Sequence, residues 1–190
     1  MEALVSKTQP FLSDVKELRR RARENMMQGA ITSDYGLDIK QTVDILNQAL
    51  ATEIVCVLRY KNHYYCAKGI NKDAVAAEFL AHANEEQQHA DSIAERIGQL
   101  GGEPNFNPEG LTTRSHSEYV ESRELAGMIR ENLIAERIAI ESYRELIRFF
   151  GDKDSTSRRL MESILAVEEE HANDMADLLE QNAPESASRT

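Results

Sequence analysis

Two short segments of this 190-residue chain each place a glutamate and a histidine three residues apart: "EEQQH" supplies Glu86 and His89, and "EEEH" supplies Glu168 and His171. A separation of three is about one helical turn, so both side chains of a pair can reach the same point on one helix face. Steps of three and four residues put Val75, Phe79, His82, Glu86, His89, Ile93 and Leu100 on one stripe, the seam that a helix turns toward its neighbours. A carboxylate and an imidazole buried in such a seam cost several kcal/mol unless something pairs with them. Two further glutamates interrupt apolar stripes in the same way. Glu53 lies among Val43, Leu46, Leu50, Val57, Tyr60 and Tyr64, and Glu136 among Ile129, Leu133, Ile140, Tyr143, Ile147 and Phe150. Four carboxylates and two imidazoles meeting at one level would balance and ligate two divalent cations. Oxygen-rich ligation with one imidazole per ion suits iron or manganese better than a structural zinc site, which favours thiolates in a closed tetrahedron.

The spacing also says which elements must position these groups. Apolar periodicity predicts four long helices, over about Asp38 to Ala67, Lys72 to Leu100, Ser117 to Phe150 and Thr156 to Gln181. The fourth carries the stripe Met161, Ile164, Glu168, His171, Met175 and Leu178. "AKGIN" and "GDKDS" are short breaks, whereas "GGEPNFNPEGLTTRSHS" is long and aperiodic, which suits a crossover from one end of a bundle to the other. Two helical hairpins joined by a crossover result, and they repeat one another. Glu53 is followed seven residues on by Tyr60, and Glu136 by Tyr143; 33 positions separate Glu53 from Glu86, and 32 separate Glu136 from Glu168. The expected architecture is all-α: a bundle over residues 38–182, preceded by an extension over 1–37 and followed by a polar tail over 183–190. Within the extension, "FLSDVKELRRRARENMM" reads as an amphipathic helix with Leu12, Val15, Leu18, Ala22 and Met26 on one side.

Composition narrows the function. A net charge of -11 argues against a generally nucleic-acid-binding surface and favours one that attracts cations. No run approaches the roughly 18 apolar residues of a membrane span, and "MEALVSKTQPFLSDVKE" has no apolar signal core, so a cytoplasmic protein without membrane contact is expected. Cys56 and Cys66 sit on one predicted helix with roughly 15 Å of rise between them and cannot bridge each other. His116 falls in the loop and has no evident role. His82 shares the face of Glu86, so it either lines the path of incoming cations or is an ordinary surface or interface residue. Tyr60 and Tyr143 either pack and hydrogen-bond a ligand carboxylate or take part in redox chemistry.

The segments "ILNQALATEIVCVLRYKNH", "EEQQHADSIAERIGQLGGEPN", "AERIAIESYRELI" and "ILAVEEEHANDM" resemble the ferritin-like superfamily, and most closely the bacterioferritins, over about Asp38 to Gln181. The resemblance implies a ferritin-like four-helix bundle, the di-iron or di-manganese carboxylate arrangement, and ferroxidase activity. Fe(II) would be oxidised by O2 or H2O2 and the ferric mineral held in a hollow homo-oligomeric shell. It implies bridging carboxylates at Glu86 and Glu168, terminal ligands at Glu53 and Glu136, one imidazole per iron from His89 and His171, and Tyr60 beside the site, with two Fe ions per subunit that manganese or zinc can replace. Bacterioferritins bind haem through a Met directly after the first motif's Glu. Gln87 stands there, so no haem is expected. The polar residues after Gln181 do not suit the fifth helix of 24-subunit shells. An N-terminal extension is instead similar to the twelve-subunit DNA-protection-during-starvation proteins, so a 12-mer is favoured over a 24-mer.

Two other functions share these features. A soluble di-metal oxidase or peroxidase would use the same ligands without storage, although no C-x-x-C rubredoxin module accompanies them. A DNA-binding protective mini-ferritin would use Arg19, Arg20, Arg21 and Arg23, but Asp14, Glu17 and Glu24 in the same stretch favour a solvated face or subunit contact.

Overall fold

The computed structural model describes residues 14–69 and 71–182, which fall into two compact units dividing after Tyr35. The first unit contains helix α1 (Val15–Glu24) and a 3-10 turn at Met26–Gln28. Asp14 caps α1 by accepting from the Lys16 amide. The predicted helix is thus shorter than its pattern, with Met26 in the following turn and Leu12 outside the described residues. The basic cluster is partly neutralised within the helix, since Arg20 forks onto Glu17 at 2.6 Å and Glu24 at 2.6 Å. These are exposed i, i+3 and i, i+4 pairs of small energetic weight, and they occupy the guanidinium that a phosphate would need.

The second unit is an antiparallel bundle of four long helices: α2 (Ile39–Cys66), α3 (Lys72–Gln99), α5 (Leu125–Phe150) and α6 (Ser155–Gln181), with a short α4 (Leu111–Arg114) inside the crossover. Among the described residues there is no strand. α2 packs on α3 and α5 on α6, giving the two expected hairpins. Sequence explains the ends. The Asp38 carboxylate accepts from the Gln41 amide at 2.7 Å and starts α2. α3 stops where Gly101 adopts φ +70°, and the next residue must also be glycine, because a Cβ on Gly102 would fall 2.6 Å from Val43 Cγ2. The seam residues of α3, from Val75 to Leu100, are all buried. Below the polar level, Tyr60, Val75, Phe79, Ala83, Met128, Ile129 and Met175 form one apolar cluster drawn from all four helices.

The third long helix begins at Leu125 rather than near Ser117. Residues 117–124 are not helical and are held by a contact distant in sequence: buried Arg59 donates from Nη1 to the Glu118 carbonyl at 3.0 Å. The same guanidinium donates from Nε to Asn132 Oδ1 at 3.0 Å, and His63 Nδ1 lies 3.2 Å from that oxygen. His63 is therefore a buried structural histidine, and burial and Arg59 pull it down to about 4.

One buried ion pair ties the far end of α3 to the start of α6. Arg96 Nη2 lies 3.0 Å from both oxygens of Asp154, and Arg96 Nε donates to Ser157 Oγ at 2.8 Å. Asp154 also caps α6 through the Ser157 amide at 2.9 Å. Removing Arg96 takes the guanidinium from a buried carboxylate, and breaking a buried pair in this way costs about 3–5 kcal/mol. Arg96→Met is therefore expected to lower the denaturation free energy by about 3 kcal/mol, measured by urea unfolding of the metal-free protein, with helical content in the folded baseline unchanged.

Candidate metal centre

The bundle gathers all six predicted residues. Each of the four long helices contributes: Glu53 from α2, Glu86 and His89 from α3, Glu136 from α5, and Glu168 and His171 from α6. All are buried. They form two overlapping sets in which the potential ligand atoms lie within 4.8 Å of one another: Glu53, Glu86, His89 and Glu168 in one, and Glu86, Glu136, Glu168 and His171 in the other. Glu86 and Glu168 belong to both. His89 Nδ1 faces Glu53 at 3.3 Å, Glu86 at 3.4 Å and Glu168 at 3.1 Å. His171 Nδ1 faces Glu86 at 3.5 Å and Glu168 at 3.7 Å.

These groups are close enough to attract, yet they are not aligned as hydrogen bonds. Glu53 Oε2, both oxygens of Glu86 and of Glu168, Glu136 Oε2 and the Nδ1 atoms of His89 and His171 are buried with no hydrogen-bond partner. Native interiors rarely leave so many polar atoms unpaired in one place. Their donor set, carboxylate oxygen with imidazole nitrogen, is the one iron and manganese use.

The outward atoms, by contrast, are fixed. Tyr60 on α2 donates its hydroxyl to Glu136 Oε1 on α5, and Tyr143 on α5 donates to Glu53 Oε1 on α2. The seven-residue spacing of each Glu and Tyr thus serves the opposite hairpin, a crossed pair about the pseudo-two-fold axis. His171 Nε2 bonds Glu85 Oε2 at 2.6 Å, which orients the ring with Nδ1 inward.

Electrostatics differ sharply among the four carboxylates. Burial, then the Glu86 charge, push Glu53 up to about 8. Burial with Glu86 and Glu168 pushes Glu136 well above the usual carboxylate range. Glu86 and Glu168 are equally buried, but the imidazoles of His171 and His89 outweigh that and hold both below it. Burial opposes charge on the histidines as well, yet the surrounding carboxylates raise His89 to about 12 and His171 to about 11.

One of the alternatives left open for His82 falls. His82 is neither a surface nor an exposed interface residue: it is buried, with its ring stacked on His171 at 3.8 Å between centroids. Glu85, Arg59 and Asn132 were not singled out by the pattern, although Glu85 directly precedes a seam glutamate. Cys56 is buried and Cys66 exposed, both as free thiols.

Residues 43–183 match the ferritin-like domain family. Bacterioferritin of Desulfovibrio desulfuricans is 28% identical over 132 residues, covering 69% of this chain and 70% of that protein. The DNA protection during starvation protein of Pyrococcus furiosus is 28% identical over 151 residues, covering 76% and 80%. Among solved structures, a dodecameric thioferritin described as the bacterioferritin-related protein of Bacteroides fragilis superposes with a TM-score of 0.73 at 31% identity, covering 88% of this chain and 94% of that one. With the family match spanning most of the bundle and the carboxylate and histidine sets at its centre, the chain belongs to the ferritin-like family, with bacterioferritin and starvation-protection proteins among its relatives.

Proposed function

We propose that the protein is a ferroxidase that binds two Fe(II) per chain between Glu53, Glu86, His89, Glu136, Glu168 and His171. The observation that carries this reading is the pair of four-residue sets sharing Glu86 and Glu168, with their inward atoms buried and unpaired. Glu86 and Glu168 bridge the two ions. Glu53 and Glu136 are terminal ligands turned inward by Tyr143 and Tyr60, and His89 and His171 give one nitrogen to each ion. The four carboxylate charges offset two divalent cations, which makes their burial tolerable.

Oxidising two Fe(II) to Fe(III) releases two electrons. O2 takes them with two protons to give H2O2, or H2O2 takes them with two protons to give two waters. The residues' part is to hold both ions in one dry, pre-built cage so that the two electrons leave together. Tyr60 and Tyr143 donate to Glu136 and Glu53, and their role is to orient these terminal carboxylates.

Ferric product is insoluble and needs a container. A closed symmetric shell supplies one, and the solved relative described as dodecameric supports twelve subunits. Native mass spectrometry combined with aerobic Fe(II) loading tests the whole proposal. The expected result is an assembly of twelve 21.5 kDa chains that takes up iron far beyond two ions per chain and keeps it through gel filtration. A stable monomer or dimer that oxidises iron and sheds it would instead identify a soluble di-metal oxidase.

A further inference from the structure

Helix α1 buries nothing of its own. None of its ten residues is buried, and Val15 and Leu18 on its apolar stripe are 52% and 40% exposed, with Met26 in the following turn at 76%. A helix of this length is marginal in water, and such helices persist because an amphipathic face is packed against another surface. The stripe Val15, Leu18 and Ala22 therefore needs a cover that its own unit does not supply.

The flanks of the stripe say what charge that cover carries. By helical period Arg19 and Arg23, one turn apart, lie together along one edge of it. Glu17, Arg20 and Glu24 fall on the far side and are closed on one another by the 2.6 Å pairs described above, and Arg21 lies 3.8 Å from Glu17. Among the described residues Arg19 and Arg23 enter no ion pair; Arg23 donates to the Arg19 carbonyl at 3.3 Å. An apolar stripe edged by two guanidiniums without a counter-charge fits an apolar surface that carries carboxylates. Residues 36–190 hold 28 acidic against 16 basic side chains, whereas residues 1–35 hold 5 against 6. The bundle of another copy of this chain is thus opposite in charge to α1.

Helix α5 offers a matching surface. Ile134, Ile138, Glu141 and Glu145 follow one another at steps of four, three and four, and with Arg137 and Ser142 they line a groove on the bundle. Ile134 is 42% exposed, an apolar side chain with its own reason to be covered. Glu141 and Glu145 are exposed and enter no ion pair among the described residues. They are one turn apart, the same spacing as Arg19 and Arg23, so the two carboxylates and the two guanidiniums can be brought into register. Arg137 at one edge of the groove leaves the Ser142 edge as the side for the two arginines.

We propose that α1 of one chain docks on α5 of a neighbouring copy, with Val15, Leu18 and Ala22 against Ile134 and Ile138, and Arg19 and Arg23 on Glu141 and Glu145. The contact rests on the closed-shell reading above and deepens it by naming residues on both sides of one interface. It sets a basic helix between bundles whose net charges otherwise repel, so assembly through it weakens as salt rises.

Native mass spectrometry and sedimentation of the full-length protein over a dilution series test the contact. Arg19→Glu/Arg23→Glu and Glu141→Arg/Glu145→Arg should each raise the concentration at which the assembly is half dissociated by at least about ten-fold, and Leu18→Asp should do the same. Combining the four charge reversals in one chain should bring that concentration back toward the wild-type value, because the pairs are re-formed with their signs exchanged. Helical content should stay at the wild-type level throughout, since every replaced side chain is exposed. Wild-type mass and half-dissociation in both reversals and in Leu18→Asp would overturn the contact and leave the shell standing. Loss of assembly in each reversal without recovery in their combination would overturn the pairing of Arg19 and Arg23 with Glu141 and Glu145. Duplex DNA bound by the wild type and released by Arg19→Glu/Arg23→Glu, at unchanged mass, would overturn it in favour of a nucleic-acid surface. A wild-type chain that is monomeric at every concentration would overturn the shell reading and this contact with it.

Discussion

Glu86→Ala and Glu168→Ala should each lower the initial rate of Fe(II) oxidation by more than about 100-fold, followed by stopped-flow absorption of the ferric product. Each change removes a carboxylate that belongs to both four-residue sets, so both ions lose an anchor at once. The fold should survive. These oxygens make no hydrogen bonds within the protein and only face the imidazoles of His89 and His171, so the helices do not depend on them, and helical content by circular dichroism should match wild type. Replacing a terminal ligand, as in Glu136→Ala, should cost less, because it strips one ion of one oxygen. Wild-type rates in both bridging variants would mean that oxidation occurs elsewhere.

Metal uptake should also be strongly coupled to protons. Near neutral pH the metal-free centre holds protons on four groups whose affinities are raised: Glu53 (about 8), Glu136, His89 (about 12) and His171 (about 11). Glu86 and Glu168 are ionised, held low by the histidines. Two imidazolium charges and two carboxylate charges cancel, and the empty cage is neutral. Two divalent ions with four carboxylates and two neutral imidazoles are neutral as well. Binding therefore exchanges up to four protons for two metals, and affinity must rise with pH, by as much as about 100-fold per pH unit for each ion. Above about pH 8 Glu53 has already lost its proton, so release should fall toward three and the dependence should flatten. Zn(II) titrations in buffers of different ionisation enthalpy measure this directly. Release of fewer than one proton per metal would contradict the charge assignment.

The legible parts of the sequence were those governed by period. Three- and four-residue steps place Glu53, Glu86, His89, Glu136, Glu168 and His171 on inward stripes, and burial confirms each. Caps and breaks at Asp38 and Gly101 bound α2 and α3 as expected. What stayed hidden depends on contacts between segments far apart in the chain. The start of α5 is set by Arg59 reaching the Glu118 carbonyl, 59 positions away, and no local propensity reports that. The Arg96–Asp154 pair is 58 positions apart. Tyr60 and Tyr143 were visible as a repeated spacing, but the crossing of each onto the other hairpin's glutamate follows only from the packing of α2 beside α5. His82 stayed open because its stripe position allowed either environment, and the stacked His171 ring shows it buried.

The central claim is a two-metal cage, and anomalous diffraction from a crystal of the protein soaked anaerobically in Fe(II) addresses it most directly. The account predicts two iron peaks inside each bundle. Both should be ligated by Glu86 and Glu168, one also by Glu53 and His89 and the other also by Glu136 and His171. A single peak, or two peaks that do not share Glu86 and Glu168, would contradict it.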